Sequence, residues 1–225
     1  MAKRDAVKDF VNTVPADDQM IRSSTVSLFG SEMAGERLLV LGNSITRHGP
    51  KEDIGWPGDW GMAASAPEKD YVHLLYAALR DGGREVCMRV RQAASWERGF
   101  KEADCLASFA EEKAFGADAV IFRLGENVPK EDVPGFEEAI LRLLSYLGEG
   151  RVQRLILTTC FWPHPERNRA IRAAAERLGG AFLDITCTDE GMMAIGKFEH
   201  SGVAGHPGDA GMKMIADRLF AALTE

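Results

Sequence analysis

Residues 38–49 read LLVLGNSITRHG, in which a buried-strand pattern runs directly into a small polar loop. Four apolar residues in succession are typical of a strand that is covered on both faces, as in a parallel sheet. Gly42 ends this strand, and Ser44 follows in the loop. Two interpretations are open here: an ordinary turn, or a serine displayed as a nucleophile at the edge of a sheet.

The rest of the chain repeats the strand pattern in alternation with helical patterns. Such alternation predicts an α/β fold, namely a three-layer α/β/α domain whose five parallel strands follow a doubly wound, flavodoxin-like order. The predicted strands are 37–42, 86–91, 118–125, 152–160 and 181–186, and the predicted helices are 70–83, 101–116, 136–150, 165–180 and 209–223.

Residues 1–33 stand outside this alternation, which divides the chain into an N-terminal helical extension (1–33) and the α/β/α domain (34–225). The stretch 17–33 is interpreted as one helix. It packs either on the domain or on a second subunit, so the sequence is compatible with both a monomer and a homo-oligomer.

Composition limits the classes of partner. The 225-residue chain has a formal net charge of -7 and no basic block, which argues against nucleic acid. No apolar run approaches the roughly 18 residues that span a bilayer, and the N-terminus lacks the apolar core of a signal peptide. We therefore expect a cytoplasmic protein with no membrane partner. The four cysteines are scattered without metal-ligand spacing, which predicts free thiols and no metal site. The chain also lacks a G-x-G-x-x-G dinucleotide motif, and we expect no cofactor.

Three polar residues follow predicted strands, and in open parallel sheets ligands bind beyond the carboxyl ends of the strands. Ser44 follows the first strand, Asn127 follows the third, and His206 lies in the loop after the fifth. A serine hydroxyl needs a base, for which histidine is the usual choice, and an asparagine amide suits an oxyanion. Each residue alone fits an ordinary turn or helix entry. Their common edge favours a nucleophile, an oxyanion donor and a base.

This ordered set resembles the SGNH hydrolases, a branch of the GDSL esterase/lipase family. GNSIT (42–46) resembles the first block of that family, with Ser44 at the nucleophile position. GEN (125–127) resembles the third block, and GHPGDAGM (205–212) resembles the fifth. The resemblance covers residues 36–225. It implies a carboxylic-ester hydrolase in which Asn127 serves the oxyanion and His206 is the base.

Two blocks depart from the family pattern. AASWERG follows the second predicted strand in place of a glycine block, so the backbone N–H of Ala94 or Ser95 is expected to complete the oxyanion hole. Val203 stands where the family has an aspartate three residues before the histidine. Either a backbone carbonyl accepts from His206 and leaves a Ser-His dyad, or a carboxylate comes from elsewhere. The carboxylate candidates are Glu199, which is favoured, and Glu97, Asp184 and Asp209.

Side chains near this edge give the only indication of substrate. Arg47 and His48 are close enough to Ser44 in sequence to contact a polar end of the substrate. Four tryptophans predict either a platform for a sugar ring or acyl chain, or a hydrophobic cluster that anchors loops. They are Trp56, Trp60, Trp96 and Trp162.

The sequence therefore predicts an ester hydrolase that acts on a small-molecule ester, such as an acetylated sugar. The alternative is a non-catalytic carbohydrate- or ligand-binding protein on the same fold with a degraded triad. Arg123, inside an apolar strand, is expected to pair with a buried carboxylate such as that of Glu126.

Overall fold

The computed structural model describes residues 26–148 and 152–225. Within them, six strands form one sheet in the order β1-β3-β2-β4-β5-β6. Strands β2 to β6 run parallel, and their order is the predicted flavodoxin-like one. The strands are β1 (Val26–Phe29), β2 (Glu36–Gly42), β3 (Val86–Gln92), β4 (Ala119–Arg123), β5 (Arg154–Thr158) and β6 (Ala181–Leu183).

Helices cover both faces of the sheet, as predicted for three layers. Successive strand residues point to opposite faces, so Leu39 and Leu41 pack on one side while Leu38 and Val40 pack on the other. The first side is covered by α4 and α5, and the second by α1 and α7. The α-helices are α1 (Tyr71–Asp81), α2 (Ala94–Gly99), α3 (Ala110–Phe115), α4 (Phe136–Gly148), α5 (Pro165–Leu178), α6 (Ser201–Ala204) and α7 (Asp209–Thr224).

The helix expected over 17–33 and the expected count of five strands are both wrong, because residues 26–29 form strand β1. Residues 26–29 pair antiparallel with β3 at the edge of the sheet. Phe29 packs its ring against His73 and Tyr76 of α1, at centroid distances of 4.9 and 5.4 Å. Four residues are too few for periodicity to distinguish strand from helix. The sheet thus begins before residue 34, and residues 1–25 of the predicted extension lie outside the described part of the chain.

Two helices differ from the prediction near the middle of the chain. The helix expected over 101–116 is confined to α3, which follows a 3-10 turn at Ala107–Phe109. Helix α2 directly follows β3 and was not predicted. Among the described residues, no helix is both long and apolar enough to cross a membrane.

Candidate active site

The candidate site lies at the carboxyl ends of β2, β3 and β4. Strand β2 ends at Gly42. Only glycine fits there, because a Cβ at this position would stand 1.7 Å from Thr46 Oγ1. The N–H of Thr46 donates to the Asn43 carbonyl at 2.9 Å, which closes a tight turn around Ser44. The apolar strand and its glycine therefore set the position of the serine.

Ser44 and His206 are 162 residues apart in sequence and meet directly. Ser44 Oγ is 2.8 Å from His206 Nε2, and His206 Nδ1 is 2.6 Å from the Gly202 carbonyl oxygen. A carbonyl oxygen can only accept, so Nδ1 carries the proton and Nε2 presents its lone pair to the serine hydroxyl. This tautomer is the one that a general base needs.

Helix α6 explains how a backbone carbonyl becomes free for the imidazole. The N–H of His206 donates to the Val203 carbonyl, three residues back, and thereby leaves the Gly202 carbonyl without its usual helical donor. The Val203 side chain is buried in a small apolar cluster that also holds Trp56 and Met62. An apolar cluster therefore occupies the place where the family has an acid.

The four carboxylate candidates have other surroundings. Glu199, the favoured one, is exposed, and Nδ1 of His206 bonds the Gly202 carbonyl instead, so that prediction is corrected. Asp209 accepts from the N–H and hydroxyl of Ser65, and Asp184 accepts from Thr159 and Thr186. Glu97 is buried beside Asn127. The tight turn after α6 gives Nδ1 a carbonyl that no side-chain pattern reveals.

His206 is buried, with 7% of the residue's surface exposed. Burial lowers its pKa to about 4; the Gly202 hydrogen bond opposes this shift, and the charges of His48 and Arg123 add to it. The ring of Trp162 stands edge-on to it at 5.3 Å and donates its indole N–H to the Gly205 carbonyl. His206 is therefore neutral at pH 7 and able to accept a proton.

The backbone offers two N–H groups near the nucleophile that an oxyanion could bind. The backbone N–H of Ser44 makes no hydrogen bond to any residue within 26–148 or 152–225. The N–H of Ala94 donates to Gln92 Oε1 at 3.0 Å, which removes Ala94 as a donor. Ser95 is exposed in the first turn of α2, where backbone N–H groups have no helical carbonyl to bond. Ser95 is thus the better second-block candidate.

Asn127 is positioned by Gly125, whose φ of +144° suits glycine and whose added Cβ would stand 2.7 Å from Cys160 Sγ. The Asn127 amide already has two partners. Its Nδ2 donates to Glu97 Oε2 at 2.6 Å, and its Oδ1 accepts from Arg98 at 2.9 Å. An amide nitrogen carries two hydrogens, so one N–H remains for an oxyanion. Sequence reasoning missed both partners in this role, because they lie in the unpredicted helix α2.

A buried charged cluster lies beneath these residues. Arg123 forms a two-bond ion pair with Glu126, as predicted, and also donates to the Asn43 side chain. Asn43 in turn donates to Glu126 at 2.7 Å and to Glu97 at 3.3 Å. Burial, together with the charge of Glu126, raises the pKa of Glu97, whereas the N–H donors of Asn127 and Gly125 oppose the rise.

The expected substrate rim is mostly structural. Arg47 forms an ion pair with Asp59 and donates to Ser27 of β1, so its charge is neutralised by Asp59. His48 is buried with Nδ1 against the Gly49 carbonyl, and burial lowers its pKa. These two expectations are corrected, because Arg47 is held by an ion pair with Asp59 and the His48 side chain is buried.

The tryptophans divide in the same way. Trp56 and Trp96 are 1% and 4% exposed, and Trp60 donates its indole N–H to the Ala64 carbonyl. Trp56 and Trp60 pack against each other in the loop after Ser44, as the loop-anchoring interpretation expected, whereas Trp96 lies in α2 and packs in the main core. Trp162 is half-buried, and its ring contacts the imidazole of His206.

No group of three or more histidine, cysteine, aspartate or glutamate side chains suited to a metal occurs within the described ranges. The four cysteines are free thiols.

Comparisons with known proteins identify the fold. No protein-family model and no curated protein matches the chain. Among solved structures, LAE5, an α/β hydrolase enzyme from the metagenome of Lake Arreo, is 21% identical, with 87% of this chain and 97% of that chain covered and a TM-score of 0.55. A Parabacteroides merdae protein named as a GDSL-like lipase is 19% identical, with 85% and 96% covered and a TM-score of 0.55.

A family two carbohydrate esterase from Cellvibrio japonicus is 14% identical, with a TM-score of 0.57. Here 84% of this chain and 61% of that chain are covered. The chain therefore shares the α/β/α fold of these hydrolase structures, as the resemblance to SGNH hydrolases implied.

Proposed function

We propose that this chain is a serine-dependent carboxylic-ester hydrolase of the SGNH type that acts through an acyl-enzyme. The 2.8 Å contact between Ser44 Oγ and His206 Nε2 carries the proposal, because it joins a nucleophile to a neutral base of defined tautomer. The fold shared with a GDSL-like lipase and a carbohydrate esterase supports the same reaction class.

In the reaction, His206 Nε2 accepts the Ser44 proton as Oγ attacks the ester carbonyl. The negative charge that develops on the carbonyl oxygen is stabilised by the N–H of Ser44, the free N–H of Asn127 and the N–H of Ser95. The imidazolium returns its proton to the leaving alcohol, which leaves Ser44 acylated. Water then loses a proton to His206 and attacks the acyl group, and the proton returns to Ser44 as the acid departs.

The substrate we propose is a small ester with a short acyl group, such as an acetylated sugar. Half-buried Trp162 beside His206 offers an aromatic surface on which a sugar ring can stack. The carbohydrate esterase among the similar structures supports this class.

A fluorophosphonate probe and p-nitrophenyl acetate test the proposal. The wild-type protein is expected to be labelled and to turn over the ester. Ser44→Ala should not be labelled, and its kcat should be lower by about 10⁴-fold or more. Ser108→Ala is the matched control, because Ser108 is exposed and donates only to the Cys105 carbonyl. A folded wild-type protein that is neither labelled nor active would favour the non-catalytic ligand-binding alternative.

A further inference from the structure

The amide of Asn127 is held at both ends by consecutive residues of α2. Glu97 accepts from Nδ2 at 2.6 Å, and Arg98 donates to Oδ1 at 2.9 Å. Glu97 also accepts from the backbone N–H groups of Gly125 at 2.5 Å and Asn127 at 3.3 Å. These contacts fix the rotamer of Asn127 and the turn that carries it, so the direction of the remaining N–H is determined.

Although burial and the charge of Glu126 raise the pKa of Glu97, every hydrogen bond that Glu97 makes among the described residues comes from an N–H group, which favours the carboxylate. Glu97 is completely buried, and its partners are N–H donors of Gly125, Asn127 and Asn43. A negative charge at this place opposes an oxyanion on the other side of the same amide. Catalysis therefore requires that this charge be balanced.

Arg98 provides the balance. Glu126 is already paired with Arg123, which leaves Glu97 as the second acid and Arg98 as the second cation of the cluster. Among the described residues, no carboxylate forms an ion pair with Arg98, so its charge is directed at the Asn127 carbonyl oxygen. A cation on that oxygen polarises the amide and strengthens its N–H as a donor.

Arg98 also has a cost that packing does not explain. Its Nη1 is buried with no hydrogen-bond partner among the described residues, and burial lowers the pKa of the guanidinium. A buried donor without a hydrogen-bond partner destabilises the folded state, so stability alone does not account for an arginine here.

We infer that Glu97 and Arg98 are positioning residues that clamp the Asn127 amide, with Arg98 balancing the charge of Glu97 and strengthening the amide N–H toward the oxyanion. The inference rests on the proposed function for its kinetic consequence. The clamp itself is a property of the folded protein and can be observed without turnover.

A double-mutant cycle provides the kinetic test. Arg98→Met should lower kcat for p-nitrophenyl acetate about 10–100-fold with KM little changed, because the interaction matters most in the transition state. The same change in an Asn127→Ala background should cost little more, because the clamp acts through that amide. Arg98→Lys should recover part of kcat. Equal losses in both backgrounds would show that Arg98 only supports the fold.

Side-chain amide NMR tests the clamp independently of activity. The signals of the Asn127 amide are assigned by their loss in Asn127→Ala, and both should shift in Arg98→Met. Arg142→Met is the matched control, since Arg142 is exposed and donates to the Phe100 carbonyl, away from Asn127; it should leave these signals in place. Unmoved signals in Arg98→Met would overturn the clamp, whereas a shift without Ser44-dependent turnover would reject only the proposed function.

Discussion

At the scale of single residues, His206 shows how a neutral acceptor can orient a base. The Gly202 carbonyl fixes the Nδ1–H tautomer but carries no full charge, and it therefore offsets little of the cost of burying an imidazolium. Burial accordingly dominates, and the pKa of His206 lies near 4. A neutral imidazole over a wide pH range is the chemical consequence.

The acid limb of the pH profile should reflect this pKa. Activity requires neutral His206, so kcat/KM should stay level as pH falls through 6.5 and decline only near pH 4. The measurement is kcat/KM for p-nitrophenyl acetate from pH 3.5 to 8, with circular dichroism to confirm folding at each pH. A midpoint at or above 6.5 would contradict the assignment of burial as the cause.

Trp162→Ala provides the matched variant. Removal of the indole admits water to the imidazole, which should raise the pKa of His206 and move the acid limb to higher pH. Trp162→Phe keeps an aromatic ring there and should move the limb less.

At the scale of elements, α6 and the turn that follows it decide why this chain lacks an acid before its histidine. Val203 is 1% exposed and packs with Trp56, Met62 and Ala194. The carbonyl of the preceding residue performs the orienting role. In α6, the Val203 side chain therefore packs in the core, while the Gly202 backbone carbonyl orients His206.

Val203→Asp should consequently destabilise the protein rather than restore a triad. Placing an unpaired carboxylate in an apolar cluster costs about 3 kcal/mol, which should lower Tm with no gain in kcat. Thermal unfolding and ester turnover check this, with Val203→Ala as a control that is less stable than wild type but active. A Val203→Asp protein that is both stable and faster would show that an acid at this place can reach the imidazole.

At the scale of the whole molecule, β1 completes the sheet and protects an edge. It pairs with β3, its Ser27 accepts from Arg47 behind the nucleophile turn, and its Phe29 packs on α1. Without it, β3 would present unpaired backbone groups to solvent, the arrangement that promotes association between sheets.

Removal of β1 therefore has a predictable result. In a chain that begins at Ser31, the free energy of unfolding should fall by about 2 kcal/mol, mainly because the buried surface of Phe29 is lost. This corresponds to a Tm decrease of about 4–8 °C. It should also self-associate, as measured by light scattering. A chain that begins at Thr25 is the control that keeps the strand. Equal Tm values for the two chains would show that β1 contributes nothing to stability.

The sequence by itself determined the parallel strands, their order and the approach of Ser44 to His206. These follow from continuous apolar runs and from the rule that strand ends share one edge. It also indicated the pair formed by Arg123 and Glu126, because a charge inside an apolar strand needs a buried partner.

Only the tertiary structure decided which group stands behind His206 and which groups hold Asn127. The Gly202 carbonyl has no side-chain signature, and a backbone acceptor becomes available only through the geometry of the turn after α6. Glu97 and Arg98 reach Asn127 because α2 folds under the end of β4, a contact between residues about thirty positions apart. Local patterns identify elements and their faces, whereas the pairing of individual polar atoms depends on how those elements pack.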